Sequence, residues 1–442
     1  MANTELKSIL QKNSVVGAGG AGFPSFAKLA DGATVLVINA VECEPLMYTD
    51  LTLLAEKLDD VVAGMRAVME FANIPTGLLC VKDYRALKLG LADGQKLAEG
   101  VFVKHVPNVY PMGDEINLIY TATGRLVQPG QLPITQGVIV YNSETVYNIA
   151  RAARDDAPVT EKWLTIGGNV PEVLCVRVPV GMRVSELFAK MKVVVPDNHV
   201  VIDGGPSMGA LINPASAVIS KTTKALLILP NTIPAATGKL RTVEENLRIA
   251  ASVCCQCTRC TDMCPRHLLG FPIEPHKMVR ATLSTAQASP ELVQTASLCC
   301  SCDICGTFAC CQGISPMQVI KEFKGILAKN KMRYTPGPND HAVVNPDREY
   351  RMLNAAKWKD MLGVTKYDRY PTYMETPVTA AKVEIKMSQH IGAPSVPAVA
   401  VGDTVTVGQL IANPGTGLSV PQYASIAGKV TFVDATRIVI EA

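Results

Sequence analysis

The spacing of hydrophobic residues changes several times along the chain, and each change predicts a different kind of element. Leu6, Ile9 and Leu10 in "MANTELKSILQKN" share one face of a short N-terminal helix, read as a lid on its own domain rather than a docking helix. "TVLVINAV" (34–41) is an apolar run of strand length. Between about 160 and 235, "KWLTIGGNV", "VLCVRVPVGM" and "ALLILP" read as short strands, interrupted by the turn-rich "IDGGPSMG" and one helix at "RVSELFAKM". "RTVEENLRIAASV" returns to a helical period: Thr242 and Glu245 form a capping box, and Val243, Leu247 and Ala250 share a face. "PHKMVRATLSTAQASPELVQTASL" is also helix-prone, and "TPGPNDHAVVNP" marks a linker.

Composition narrows the class. The 442 residues suffice for three or four domains, and 48% hydrophobic with 18% charged residues is an ordinary globular balance. A net charge of +3 gives no argument for nucleic acid. No apolar run reaches the roughly 18 residues of a membrane helix, and the first residues lack a signal-peptide core, so a cytoplasmic protein without direct membrane insertion is expected.

Cysteine changes the picture most. Of 14 cysteines, 11 fall between Cys254 and Cys311. A dense island in a large chain points to metal ligation, not to a disulfide scaffold. Cys254, Cys257, Cys260 and Cys264 form C-x2-C-x2-C-x3-C-P, a ferredoxin run. Cys299, Cys302 and Cys305 repeat the spacing, with Cys310 after four residues. In two-cluster ferredoxins the fourth cysteine of each motif ligates the other motif's cluster. One 4Fe–4S cluster is therefore expected on Cys254, Cys257, Cys260 and Cys310, the other on Cys299, Cys302, Cys305 and Cys264. Cys311, standing where proline usually follows, competes with Cys310. Cys255, Cys300, His267 and His276 are read as neighbours of the clusters, and Cys43, Cys80 and Cys175 as isolated thiols.

"SVVGAGGAGFPSFAKL" (14–29) contains G-x-G-x-x-G at Gly17, Gly19 and Gly22. A Rossmann fingerprint needs a strand before the glycines and a helix after them. Here the helix precedes and the strand follows, so the ordinary Rossmann assignment is rejected. Three polar patches accompany the loop: "NAVECEPLMYTD" (39–50), "YPMGDEINL" (110–118) and "YNSETVYNI" (141–149). Asn39 and Asn142 offer amide groups suited to a flavin edge, and Lys28 a cation for a phosphate. Glu42, Glu44, Asp114 and Glu115 are carboxylates able to accept from ribose or nicotinamide.

On those residues ("GAGGAGFPSFAKL", "NAVECEP", "YPMGDE" and "NSET") the chain resembles the flavin-binding subunit of respiratory complex I and RnfC-type proteins. The resemblance implies a glycine floor of Gly17, Gly19, Gly20 and Gly22 beneath FMN and NADH. It places Phe23 against the nicotinamide nucleotide, Lys28 at the flavin phosphate, and Asn39, Tyr110 and Asn142 at the flavin, with Glu115 flanking the nicotinamide. Glu42, Glu44, Asp114 and Thr145 complete the expected cofactor-binding set. Ala18 stands where the flavin-binding protein of complex I has arginine.

The same resemblance implies a multidomain α/β fold. Its parts are an α/β FMN/NADH-binding domain (1–157), a small β-grasp, or soluble ligand-binding, domain (158–236) and an α-helical two-cluster ferredoxin domain (237–334). A linker (335–376) leads to a C-terminal all-β barrel-sandwich, lipoyl-like domain (377–442). The V-x-x-G-D-x-V-x-x-G-x-L rhythm marks that last domain, and no lysine sits at the tip in "NPGTGLSVPQY", so it is read as a structural or docking module. The barrel follows the clusters, and with "CPRHLLGFPIEPHKMVR" this order resembles the cobalamin reductases of propanediol-utilising bacterial microcompartments. What that implies is transfer from NADH through FMN and two 4Fe–4S clusters to cob(III)alamin and cob(II)alamin. A corrinoid adenosyltransferase and a microcompartment shell protein are the expected partners, and no catalytic acid or base is needed. Two alternatives stand beside it: an RnfC-like electron-transfer protein with another acceptor, and a non-enzymatic scaffold docked to a shell.

Overall fold

The computed structural model describes residues 2–20, 22–283, 289–337 and 340–442. Residues 284–288 of the helix-prone stretch between the cysteine motifs, and Ala21 of the glycine loop, lie outside that set.

In the N-terminal domain, helix α1 (Ala2–Lys12) is followed by the glycine loop, then strand β1 (Val35–Asn39), helix α2 (Thr49–Phe71), β2 (Thr76–Lys82) and α3 (Asp83–Lys88). Strands β3 (Lys96–Ala98), β4 (Val101–Val106) and β5 (Val109–Tyr110), helix α4 (Glu115–Thr123), β6 (Val138–Asn142) and α5 (Ser143–Asp155) complete it. The main sheet runs β3-β4-β2-β1-β6, with β1 parallel to both β2 and β6. Alternate residues of β1 meet different layers: Leu36 and Ile38 join a core with α1, α2 and α5, while Val37 faces Ile116 and Leu118 of α4. Cover on both faces explains the unbroken apolar run. Leu6 and Leu10 of α1 are buried in that first core. Helices α2 and α5 cross closely at Gly64, where a Cβ would lie 2.2 Å from the Val146 carbonyl oxygen.

The second domain contains β7 (Glu161–Gly168), β8 (Leu174–Pro179), α6 (Val184–Lys190), β9 (His199–Asp203), β10 (Ala210–Ile212) and β11 (Ala225–Pro230). Its sheet order is β10-β9-β11-β7-β8, with the first and last strands, β7 and β11, parallel at the centre. Helices α7 (Pro234–Leu240) and α8 (Val243–Val253) lead into the cysteine domain, and the Thr242–Glu245 capping box is formed as expected.

The stretch 335–376, expected to be a linker, is instead a packed strap. Strand β12 (Leu353–Asn354) pairs with β5, and β13 (Thr372–Tyr373) adds to the second sheet beside β8. Between them the helix Ala355–Leu362 buries Trp358 completely, stacked on Tyr110 at 4.8 Å. The Trp358 indole N–H donates to Ser207 Oγ at 3.0 Å. The Pro/Gly signals end before this helix, and its few apolar residues gain meaning only from the three surfaces they touch.

The C-terminal barrel forms a four-stranded and a three-stranded sheet. Val383, Ile385, Ile411 and Val430 share one core with Leu164, Val176 and Leu226 of the second domain. The barrel also reaches the glycine loop: Ile391 N–H donates to Gly22 O at 3.1 Å, and a Cβ on Gly22 would lie 2.9 Å from Thr222 Cγ2. Lys221 is buried at this three-way junction, bonded to Ser14 Oγ, and burial pulls its pKa down to about 7.

Two outcomes follow. Trp358→Ala should cost about 3–5 kcal/mol and lower the thermal midpoint, whereas a loose linker would leave it unchanged. For Lys221, the folded pKa lies below the unfolded one, so the unfolded chain binds the extra proton between about 7 and the ordinary lysine value near 10.5. Stability should therefore rise with pH across that window, and Lys221→Met should flatten the rise while stabilising the protein most at pH 7 and below. Urea unfolding of both forms at several pH values checks this; a difference independent of pH would contradict it.

Candidate cofactor site

The sheet order makes β1–β6 a switch point: the chain passes from β1 to β2 and β4 on one side and returns to β6 on the other. Ligands of open α/β sheets bind outside the carboxyl ends of the strands at such a point. Asn39 and Asn142 end these two strands directly opposite each other. The glycine loop lies against them, since a Cβ on Gly19 would sit 3.3 Å from Asn142 Cβ. The loop is pinned by Gly17 N–H to Phe23 O (2.9 Å), Gly22 N–H to Gly17 O (3.2 Å), and Ala18 N–H to Thr145 Oγ1 (2.9 Å). Gly19 and Gly20 are exposed, and Gly20, at φ +118°, has open space where a side chain would stand. Phe23 is half-buried. Lys28 Nζ bridges Glu115 Oε1 (2.9 Å) and Val140 O (3.0 Å) at the edge of the same surface. Bare backbone, one cation and the positive end of α5 suit a flat, phosphate-bearing ligand.

A buried ionic layer supports the surface from below. Asp50 accepts from Lys224 Nζ (2.6 Å), Ser143 Oγ (2.7 Å) and Asn142 Nδ2, while Lys162 pairs with Glu144 under Ala18. Burial works against the charge of Lys224, but Asp50, Glu42 and Glu144 outweigh it and raise its pKa. Composition and spacing gave no sign of Lys162 or Lys224, because each is distant in sequence from the acid it meets.

Several of the expected cofactor-binding residues also hold internal partners. Glu42 accepts from Arg85 Nη1 (2.8 Å) and Asp50 N–H (3.1 Å), and burial followed by Asp50 pushes its pKa up. Glu44 accepts from Tyr110 Oη and Ser207 N–H, each at 2.8 Å. Asp114 caps α4 and takes two bonds from Arg266 (2.6 and 2.8 Å). Tyr110 is buried, with its hydroxyl also 2.8 Å from Cys302 O. Asn39 Nδ2 donates to Gly113 O (2.9 Å), so it shapes the crevice wall. These carboxylates, the tyrosine and the amide fix domains and loops, for which a polar residue in a turn carries no distinct sequence signal. Arg266, Ser207 and Trp358 are the partners that sequence reasoning missed.

The cysteines gather into two cavities. Cys254, Cys257, Cys260 and Cys310 line one, with Cys255, Cys311 and His276 beside them. Cys264, Cys299, Cys302 and Cys305 line another, with Cys300. The two binding loops are conformational copies: Gln256 and Thr258 have φ of 54° and 61°, and Ser301 and Asp303, at the same motif positions, 60° and 61°. This left-handed backbone turns amides towards sulfur. Ser301 N–H donates to Cys299 Sγ (3.2 Å) and Ile314 N–H to Cys310 Sγ (3.3 Å). Burial, with the Cys310, Cys257 and Cys254 thiols close by, pushes Cys260 up to about 12. Such crowded thiols fit a cluster that replaces their protons with iron. Cys311 is exposed, its sulfur within 4.8 Å of those of Cys255 and Cys257, whereas Cys310 is partly buried beside Cys254. Cys264→Ser should therefore deplete the cluster of Cys299, Cys302 and Cys305 more than that of its own motif. Electron paramagnetic resonance of the reduced protein reads this, and an unchanged pair of signals would refute it.

Comparison with known proteins agrees with this arrangement. Residues 10–151 match the Nuo51 FMN-binding domain, 253–315 a 4Fe-4S dicluster domain, and 371–441 the RnfC barrel sandwich hybrid domain. A component of the ion-translocating oxidoreductase complex of Citrobacter koseri is 32% identical over 274 residues, covering 60% of this chain and 37% of that protein. The cobalamin reductase PduS of Citrobacter freundii is 37% identical over 96% of this chain and 94% of its own length. For the cobalamin reductase PduS of Salmonella typhimurium the identity is 37%, over 99% of this chain and 96% of that protein. With both chains matched almost end to end, this chain belongs to the PduS cobalamin reductase family.

Proposed function

We propose that this protein is an NADH-dependent oxidoreductase that passes electrons through FMN and two 4Fe–4S clusters to cob(III)alamin and cob(II)alamin. The observation that carries the reading is the direct join between the glycine-loop domain and the crossed cysteine sets, made by Tyr110 with Cys302 and by Asp114 with Arg266. FMN, when bound, accepts electrons as a pair and releases them singly, which is the chemistry needed between a hydride donor and iron–sulfur clusters. The chain's own residues bind and orient. Gly19 and Gly20 give close backbone approach, Lys28 supplies charge at the phosphate, and Phe23 presents an aromatic face to the nicotinamide nucleotide. Glu115, held by Lys28, flanks it. Thr145 fixes the loop through Ala18. The cysteine set of each cavity supplies four thiolates.

The sheet order of the second domain supports the β-grasp reading, and the proposed division is 1–157, 158–236 and 237–334, with 335–376 as the strap that joins them to 377–442. Among the described residues no helix is long and apolar enough to cross a membrane. Residence in or on a bacterial microcompartment, with a corrinoid adenosyltransferase and a shell protein as partners, follows from likeness to the PduS proteins. A second reading, an RnfC-like electron-transfer protein with a different acceptor, is favoured by the barrel domain and by the ion-translocating oxidoreductase relatives.

Anaerobic addition of NADH to reconstituted protein should bleach flavin and cluster absorbance, and cob(III)alamin should then restore it. Bleaching without reoxidation would favour the second reading. No bleaching would leave a scaffold.

A further inference from the structure

The two cysteine cavities differ in what surrounds them. The set of Cys264, Cys299, Cys302 and Cys305 lies against cores that the N-terminal domain helps to build. Cys264 and Leu298 pack with Met112, Ile116 and Val41, and Cys302 and Ile304 with Leu46, Met47 and Tyr110. Cys43, from the loop that follows β1 at the switch point, packs against both cores. Polar contacts repeat the pattern: Tyr110 Oη lies 2.8 Å from Cys302 O, and Arg266, two residues after Cys264, clamps Asp114. Cys264, Cys302 and Cys305 are buried. The set of Cys254, Cys257, Cys260 and Cys310 has none of these neighbours. Cys254 and Cys310 pack on a small core of Ala250, Val279 and Ile314, made within the cysteine domain itself. Cys257 is exposed, as are Cys255 and Cys311 around it.

We infer that the two sites act in series and in the reverse of their sequence order. The site of Cys264, Cys299, Cys302 and Cys305 is the entrance from the flavin, and that of Cys254, Cys257, Cys260 and Cys310 is the exit. The acceptor approaches the face carrying Cys257. This rests on the proposed function and extends it. The electrons balance: each NADH gives up a hydride and becomes NAD⁺, the hydride's proton passes to solvent, and its two electrons leave one at a time. They reduce cob(III)alamin to cob(II)alamin and then to cob(I)alamin, or two corrinoids by one electron each. The first cysteine motif in the sequence is thus the last in the circuit, because the second motif's loop and the crossed Cys264 are the parts that meet the N-terminal domain.

The test is spectroscopic. Cys302→Ser and Cys257→Ser proteins are reconstituted, and cluster signals are read by electron paramagnetic resonance after NADH and, separately, after dithionite. In Cys302→Ser, dithionite should reveal the remaining cluster while NADH bleaches flavin and leaves that cluster oxidised. In Cys257→Ser, NADH should still reduce the remaining cluster, with transfer to cob(III)alamin lost. NADH reduction of the exit cluster at the wild-type rate in Cys302→Ser would overturn the order. Failure of NADH to bleach flavin in the unmodified protein would instead sink the proposed function. Should a variant assemble neither cluster, rapid-freeze spectra of the unmodified protein decide. The signal that is sensitive to deuterated solvent, that of the exposed site, must appear second, and its appearance first would equally overturn the order.

Discussion

One buried carboxylate, Glu44, holds three parts of the molecule together. Its two oxygens accept from Tyr110 of the N-terminal domain and from the Ser207 amide of the second domain, and the same tyrosine hydroxyl reaches the Cys302 carbonyl of the cysteine domain. A carboxylate taken out of water is tolerable only with such partners, and each partner is held in turn by the acid's need for it. The fit is tight enough that a Cβ on Gly205 would lie 2.0 Å from Glu44 Oε2. Burial, with Glu44 beside it, keeps the Tyr110 hydroxyl well above its usual pKa and so protonated as a donor. Trp358 of the strap covers the point, stacked on Tyr110 and bonded to Ser207.

From this junction the functional geometry follows. The N-terminal domain carries its switch-point crevice beside Cys43, and Cys43 packs in the same cores as Met112, Tyr110, Cys264 and Cys302. The strap prevents the second domain from swinging away, and the barrel, through Gly22 and Ile391, braces the glycine loop from outside. A protein whose task is to move electrons gains from this rigidity, because the protein supplies position and environment while the bound groups supply the chemistry.

The cysteine domain illustrates how a local motif and a global arrangement divide the work. Each C-x2-C-x2-C loop turns on its own left-handed residues, Gln256 and Thr258 in one and Ser301 and Asp303 in the other. The fourth sulfur comes from the other motif and depends on the helix Pro275–Leu283 and the helix Pro316–Lys329 bringing the loops face to face. Crossing the ligands also ties the two cavities together, so that damage to one motif is felt at both.

What the sequence determined by itself were the local features with steep physical requirements. Cysteine spacing, the bare glycine loop ahead of a strand, the Thr242–Glu245 cap and the turn rhythm of the barrel each follow from short-range geometry, and all are present. The tertiary structure alone decided which polar residues hold the molecule together. Glu42, Glu44 and Asp114 read like ligand groups, yet Arg85, Ser207 and Arg266 claim them from 43, 163 and 152 residues away. It also turned an apparent linker into a strap, since Trp358 is buried only by surfaces that three separate domains provide. Pairings over such distances leave no trace in local pattern, because their partners are chosen by packing and not by spacing.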